Sequence, residues 1–138
     1  MRNLSYLIIK ASRQLRNKLD KTLKEFDITA AQFSVINQIK SSDQPITAAE
    51  IADRLGSDRP TISGIINRLE NKGIVIKAYN SEDKRSSYLE INKDNFQLVD
   101  CITKKTDELT LDIFSIFSED ETNSLMKMIY LLLERTDE

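Results

Sequence analysis

Arg59, Thr61, Ser63, Asn67 and Arg68 are the residues whose types and spacing point most directly to chemistry. They lie between Ser57 and Gly73, where Ile62, Ile65, Ile66 and Leu69 recur at i, i+3, i+4 and i+7, the pattern of a helix with one buried face. The opposite face then carries Thr61, Ser63, Gly64, Asn67, Arg68 and Asn71. These side chains are short, hydrogen-bonding or cationic, and Gly64 leaves room for close approach. Asn suits an adenine edge, Arg a guanine edge or a phosphate, and a hydroxyl either kind of partner. That combination suits insertion into a DNA major groove, whereas on this stretch alone an ordinary amphipathic helix with a solvated polar face stays open. Arg68 has a second option, pairing near Glu70 or with the hairpin that follows. Ser57 could give a phosphate contact or simply cap the helix.

Other chemistries find little to work with. The 138 residues contain no histidine, no glycine-rich phosphate loop and a single cysteine, Cys101. Acid–base catalysis, a metal cluster and an internal disulfide are therefore not expected, and neither is a cofactor or an enzyme activity. The acidic run Glu119-Asp120-Glu121 is explained by helix capping. Cys101 lies between Leu98 and Ile102 in a helical pattern and is expected to be buried and unreactive, although Lys104 and Lys105 follow it.

The elements that must position this stretch can be read from capping signals and periodicity. Residues 4–26 form a first helix, with Leu4, Ile8, Ala11, Leu15, Leu19, Leu23 and Phe26 on one side at near-heptad spacing, suited to a partner helix in the same chain or a second copy. Capping boxes at Thr29–Gln32 and Thr47–Glu50 open two further helices, the first to about Lys40 and the second, short one closed by Gly56. Ser57 or Asp58 caps the next helix, Pro60 fits its first turn and Gly73 its end. Residues 74–79 and 87–91 are β-branched and extended around a polar, turn-like segment, so they form a hairpin with a charged tip. Asn92 caps a long helix over roughly 94–117, and the box Ser118–Glu121 opens a last one to about Arg135. That last helix, with Leu125, Met128, Ile129, Leu131, Leu132 and Leu133, is too apolar for a lone surface element, and a second subunit is the simplest cover. The fold class is thus mainly α with a small β-hairpin wing, a winged helix-turn-helix flanked by N- and C-terminal dimerisation helices.

Charge is unevenly placed although the net value is −2. Residues 1–26 hold seven cations against two anions and residues 54–85 seven against four, whereas residues 107–138 hold two cations against nine anions. A polyanion-binding face with an acidic far end has this distribution. No apolar run approaches the roughly 20 residues that cross a bilayer. The N-terminus lacks a secretion signal's apolar core and cleavage site. A membrane-surface role for the first helix is disfavoured by its aliphatic, tryptophan-free side. The expected location is the cytoplasm, with no membrane partner.

The motifs Ile28-Thr29-x-x-Gln32-Phe33-x-Val35-Ile36, Thr47-x-x-Glu50-Ile51-Ala52, Pro60-Thr61-Ile62-Ser63-x-Ile65-Ile66-x-Arg68-Leu69-Glu70-x-Lys72-Gly73-Ile74-Val75 and Asp83-Lys84-Arg85-Ser86 occur in that order. In this order and spacing the chain resembles the MarR family of dimeric winged helix-turn-helix transcription regulators, over about residues 28–96. It departs from the family pattern at Lys77, where arginine is usual, at Ile91-Asn92 in place of Leu-Thr, and at Asn95 in place of glycine. The resemblance implies one domain over residues 1–138, with 28–92 as the DNA-binding winged part and 1–27 and 93–138 as dimerisation helices. It implies DNA contacts from Ser57, Arg59, Thr61, Ser63, Gly64, Asn67, Arg68, Asp83, Lys84 and Arg85. Arg85 would enter the minor groove with Asp83 orienting its guanidinium, and Lys84 would touch a phosphate; a narrow A·T-rich groove attracts such an arginine. The implied partners are double-stranded DNA, a second copy of the chain, and a small lipophilic or phenolic effector that releases a repressor from a pseudo-palindromic operator. Tyr6, Phe26, Phe33 and Phe96 could line an effector pocket, but aromatic residues at helical spacing are more often core, so none is assigned. The alternatives are a winged-helix protein–protein interaction module and a redox-responsive regulator using Cys101.

Overall fold

Helix α1 (Leu4–Leu23) passes into a single 3-10 turn, Lys24–Phe26, and stops at Asp27, which takes φ 56°. The structure, a computed structural model, describes residues 2–83 and 85–137. Aspartate tolerates the left-handed region better than most residues, because its short polar side chain interacts locally. The turn delivers Ile28 to the core and Thr29 to the start of α2 (Ala30–Ser41). Both bonds of the expected capping box form there, Gln32 N to Thr29 Oγ1 and Thr29 N to Gln32 Oε1, each 3.1 Å. Asp20 of α1 adds a third link by accepting from Ala30 N at 2.7 Å, so α2 begins where α1 lets it.

The second box is only half formed. Thr47 accepts from Glu50 N at 3.3 Å, but the Glu50 carboxylate takes the Thr47 hydroxyl at 3.1 Å and not its backbone N–H. The same segment is β1 (Ile46–Thr47), which pairs antiparallel with the hairpin. Helix α3 (Ala48–Leu55) closes at Gly56 with φ 63°. Helix α4 (Arg59–Asn71) follows after two residues, with Ile62, Ile65, Ile66 and Leu69 buried as expected. At its end Gly73 takes φ 76°, Gly73 N reaches Glu70 O at 2.9 Å and Ile74 N reaches Leu69 O at 3.0 Å. This is the Schellman arrangement, completed by contact between buried Leu69 and Ile74.

Strands β2 (Val75–Tyr79) and β3 (Ser87–Ile91) form the expected hairpin, in register Val75↔Ile91 to Tyr79↔Ser87. With β1 they make a three-stranded sheet of order β1-β3-β2. Asn92 caps a short 3-10 turn, Lys93–Asn95, and α5 (Phe96–Phe114) starts from it, two residues later and three earlier in its end than the spacing suggests. Helix α6 (Glu119–Thr136) has the full capping box Ser118–Glu121.

The core lies where α2, α3, α4, the sheet and the start of α5 meet, with Ile36, Ile51, Ile62, Leu69 and Ile102 fully buried. The outer helices contribute little: Leu23 alone is buried in α1, and no described residue is buried in α6. In α5 the buried stripe is Val99, Ile102 and Thr106. Thr103, Thr106 and Thr110 return their hydroxyls to carbonyls four residues back, at 2.8–2.9 Å, so the polar interruptions are satisfied within the helix.

Gly73→Ala tests the corner. A methyl group there meets only Asn95 Nδ2 at 3.7 Å, so packing is unaffected and the strain is in the backbone. Urea unfolding at fixed protein concentration should show a loss of roughly 1–2 kcal/mol, with Gly73→Asn losing less.

Candidate nucleic-acid interface

Two short helices and a hairpin hold the expected DNA-facing residues on exposed ground. The N-cap of α4 is Asp58, whose Oδ1 accepts from Thr61 N and whose Oδ2 accepts from the Thr61 hydroxyl, both at 2.8 Å. Ser57 is therefore released from capping; its backbone N–H closes α3 on Ala52 O at 2.9 Å and its side chain is exposed. Arg59, Thr61, Ser63, Asn67 and Arg68 are all exposed along α4. Glu70 pairs with Lys77 of β2 at 3.8 Å, so Arg68 does not hold that carboxylate and has no ion pair among the described residues. Lys77, one of the departures from the family pattern, thus fastens the wing to the helix. Lys72 fastens the other side: its ammonium reaches the Asp27 backbone carbonyl and, at 3.1 Å, the Asp27 carboxylate.

The tip between β2 and β3 is organised by a residue that the sequence pattern did not single out. Asn80 is buried, accepts from Glu82 N at 3.0 Å and Asp83 N at 3.3 Å, and donates to Ser86 Oγ at 2.9 Å. Its signal was present, since asparagine opening a Ser-Glu-Asp run favours a side-chain-closed turn. Asp83 meets Arg85 through the backbone. Its carboxylate accepts from the Arg85 backbone N–H at 2.9 Å, the short-range bond that a carboxylate two residues upstream reaches most easily. The Arg85 side chain is exposed, without an ion pair among the described residues. The expected phosphate contact of Lys84 falls outside the described residues.

Gly64 lies on the outer side of α4 with ordinary helical backbone, and a methyl group there would meet nothing within 4 Å. Nothing inside the chain requires glycine at this position.

Two further expectations concern regulation. Cys101 is exposed, contrary to the buried thiol anticipated. Successive helical residues step about 100°, so a residue between Val99 and Ile102 turns away from their buried stripe. A groove of about 820 Å³ runs between the end of α2, the sheet and the start of α5, with Ile39, Ile76, Leu89, Phe96 and Val99 among its apolar walls. Lys40 stands at its rim, donating to Thr103 Oγ1 at 3.1 Å and pairing with Asp100 at 3.6 Å. Phe26 and Phe33 pack against the core, whereas Tyr6 is exposed.

The backbone N–H of Thr61 and then its hydroxyl hold the Asp58 carboxyl below the usual aspartate range. A carboxyl lowered in the folded state stabilises fully above its unfolded pKa and loses that contribution as pH falls through the folded one. Fraying of the α4 N-terminus should accordingly begin on acidification below the ordinary aspartate pKa, seen in amide exchange at Thr61, and be absent in Asp58→Asn. Gly64→Ala should raise unfolding stability by roughly 0.5–1 kcal/mol, the helix-propensity difference.

Residues 26–86 match the model of the MarR family. An uncharacterized HTH-type transcriptional regulator of Bacillus cereus is 32% identical over 83 residues, 60% of this chain and 56% of its own. The chain therefore spans little more than half the length of the curated relatives it matches first. S. aureus MepR, solved as a DNA complex, superposes with a TM-score of 0.85 at 26% identity, covering 96% of this chain and 97% of MepR. A cysteine-to-serine variant of E. coli MarR complexed with operator DNA gives a TM-score of 0.85 at 25% identity, covering 96% and 94%. Motifs, element order and superposition agree in likening the chain, most closely over residues 26–86, to the MarR family of winged helix-turn-helix proteins.

Proposed function

We propose that the chain is a homodimeric, sequence-specific DNA-binding transcription regulator of the cytoplasm. It represses from a pseudo-palindromic operator and is released by a small lipophilic or phenolic effector. The observation that carries this reading is the outer face of α4, where Arg59, Ser63, Asn67 and Arg68 present donors and acceptors that no other described residue claims, beside a wing tip that extends Arg85. Glu70 of the same helix pairs with Lys77. MepR and MarR, similar over nearly the whole chain, were both solved on DNA. Residues 28–92 form the reading part, with α4 in the major groove, Arg85 in the minor groove and Ser57 and Lys84 on phosphates.

Exposed apolar surface supports dimerisation through residues 1–27 and 93–138. Leu4, Leu7, Ile8 and Ile9 of α1 and Met128, Ile129, Leu132 and Leu133 of α6 are all between 42% and 58% exposed. A twofold partner covers both faces with the same surface. It also presents two copies of α4 to half-sites about one helical turn apart. The groove beside Phe96 and Lys40, between the winged part and α5, suits an apolar effector with an acidic group.

Selection from a random duplex library tests the reading. An inverted repeat should be enriched, and affinity for it should fall steeply with salt. Arg85→Ala should lose about 1–3 kcal/mol on that repeat, concentrated at flanking A·T pairs. Failure to enrich any sequence at low and moderate salt would favour the protein–protein interaction module.

A further inference from the structure

We propose that Asp58 sets the hydrogen-bond polarity of Thr61, so that Thr61 reads an amino group on a base, adenine N6 or cytosine N4, and does not anchor a phosphate. The inference rests on the DNA-reading role of α4 proposed above and names what one of its residues recognises. Thr61 is exposed in the first turn of α4, and its hydroxyl can in principle donate or accept. Asp58 removes the first option. Both carboxylate oxygens are engaged by the same residue, Oδ1 by Thr61 N and Oδ2 by Thr61 Oγ1, each at 2.8 Å. An ionised carboxylate has no proton to give, so the hydroxyl hydrogen must point at Oδ2. An aspartate is ionised at neutral pH, and the same two bonds favour that form further.

What remains on Oγ1 for an outside partner is its lone pairs. Phosphate oxygens, guanine O6 and N7 and thymine O4 are acceptors and meet those lone pairs unfavourably. In the major groove the donors are the amino groups of adenine and cytosine. The contrast with Ser63 is direct: its hydroxyl has no partner among the described residues and is free to face a donor or an acceptor. Thr61 therefore carries sequence information where Ser63 is indifferent, and Asp58 is a positioning residue that acts through it.

Asp58→Asn separates polarity from capping. Asparagine caps as well as aspartate, its oxygen serving the Thr61 N–H. Its amide nitrogen would now donate to Thr61 Oγ1 and turn the hydroxyl hydrogen outward. Thr61→Val, nearly isosteric, removes the hydroxyl and leaves the Asp58 cap in place. Both variants and the unsubstituted parent would be titrated against every single-base-pair variant of the selected operator. Duplexes in which purine replaces adenine, or 5-methyl-2-pyrimidinone replaces cytosine, would be included so that one amino group at a time is deleted.

The expected result is one base pair per half-site where amino deletion weakens the parent roughly fivefold, the effect of a single hydrogen bond. Thr61→Val should be indifferent there, and Asp58→Asn should prefer guanine or thymine at the same place. The inference is overturned if Thr61→Val weakens all sequences alike with the salt slope unchanged, the mark of an uncharged phosphate contact. It is equally overturned if both variants keep the parent's preference at every pair. A parent with no sequence preference at all would sink the DNA-reading role itself, an outcome distinct from failure at this residue alone.

Discussion

Gly73 ends α4 in the left-handed region, and its carbonyl is held by two side-chain amides, Asn92 Nδ2 at 2.9 Å and Asn95 Nδ2 at 2.6 Å. Around it Ile74 O accepts from Asn92 N at 2.8 Å. One corner thus joins the end of the recognition helix, the first strand of the wing and the 3-10 turn that launches α5. The geometry follows from chain ends: a helix leaves its last carbonyls without internal partners. Those of α4 are met locally, Leu69 O by Ile74 N and Glu70 O by Gly73 N, and it is the Gly73 carbonyl just past the helix that draws its donors from the segment beginning the next structural part. The two asparagines are departures from the family pattern noted in the sequence, and they converge on one oxygen. A tilt of α5 relative to the winged part strains those bonds or carries α4 with it. The orientation of the reading helix is in this way tied to the helices outside the winged part.

The burial pattern divides the chain in the same place. The winged part has a finished core, with Ile36, Ile51, Ile62 and Leu69 inaccessible to solvent. The helices outside it are unfinished: α6 buries nothing among its described residues, and its aliphatic side chains face water. Apolar patches of that extent on a lone chain are unusual. They lie on helices of 20 and 18 residues outside the finished core. The Asp20–Ala30 and Lys72–Asp27 links show that α1 is nevertheless tied to the winged part within one chain, so covering its open face bears on the reading helix from a second side.

How far the sequence could be read depended on how local each cause was. The capping boxes at Thr29 and Ser118, the glycine turns at Gly56 and Gly73, and the buried face of α4 each depend on residues within one or two turns, and all formed as expected. Long-range causes were hidden. Strand β1 is two residues paired with Leu89 and Tyr88, over 40 positions away. Asn92 and Asn95 looked like a cap and a departure until the chain brought Gly73 beside them. Cys101 was misjudged for a different reason: it was weighed by Leu98 and Ile102, but Ile102 lies a 100° step away on the buried stripe and Leu98, one turn back, is itself only half-buried.

Asp58 then needs a reason that survives the electrostatics of a polyanion. A carboxylate at the start of the reading helix repels phosphates, and in a chain of net charge −2 the attraction available to offset it is only the local excess around α4 and the wing. Capping alone is a weak reason, because serine or asparagine would cap as well without the charge. The charge is what distinguishes aspartate from both: it cannot donate, so it dictates the direction of the Thr61 hydroxyl. Its repulsion lowers affinity for every sequence alike, whereas the fixed hydroxyl changes affinity for one base pair only. Recognition depends on the ratio of specific to non-specific binding more than on either alone. A uniform loss combined with a local gain raises that ratio, and this is the arrangement in which an acidic cap is more useful on a DNA-reading helix than a neutral one.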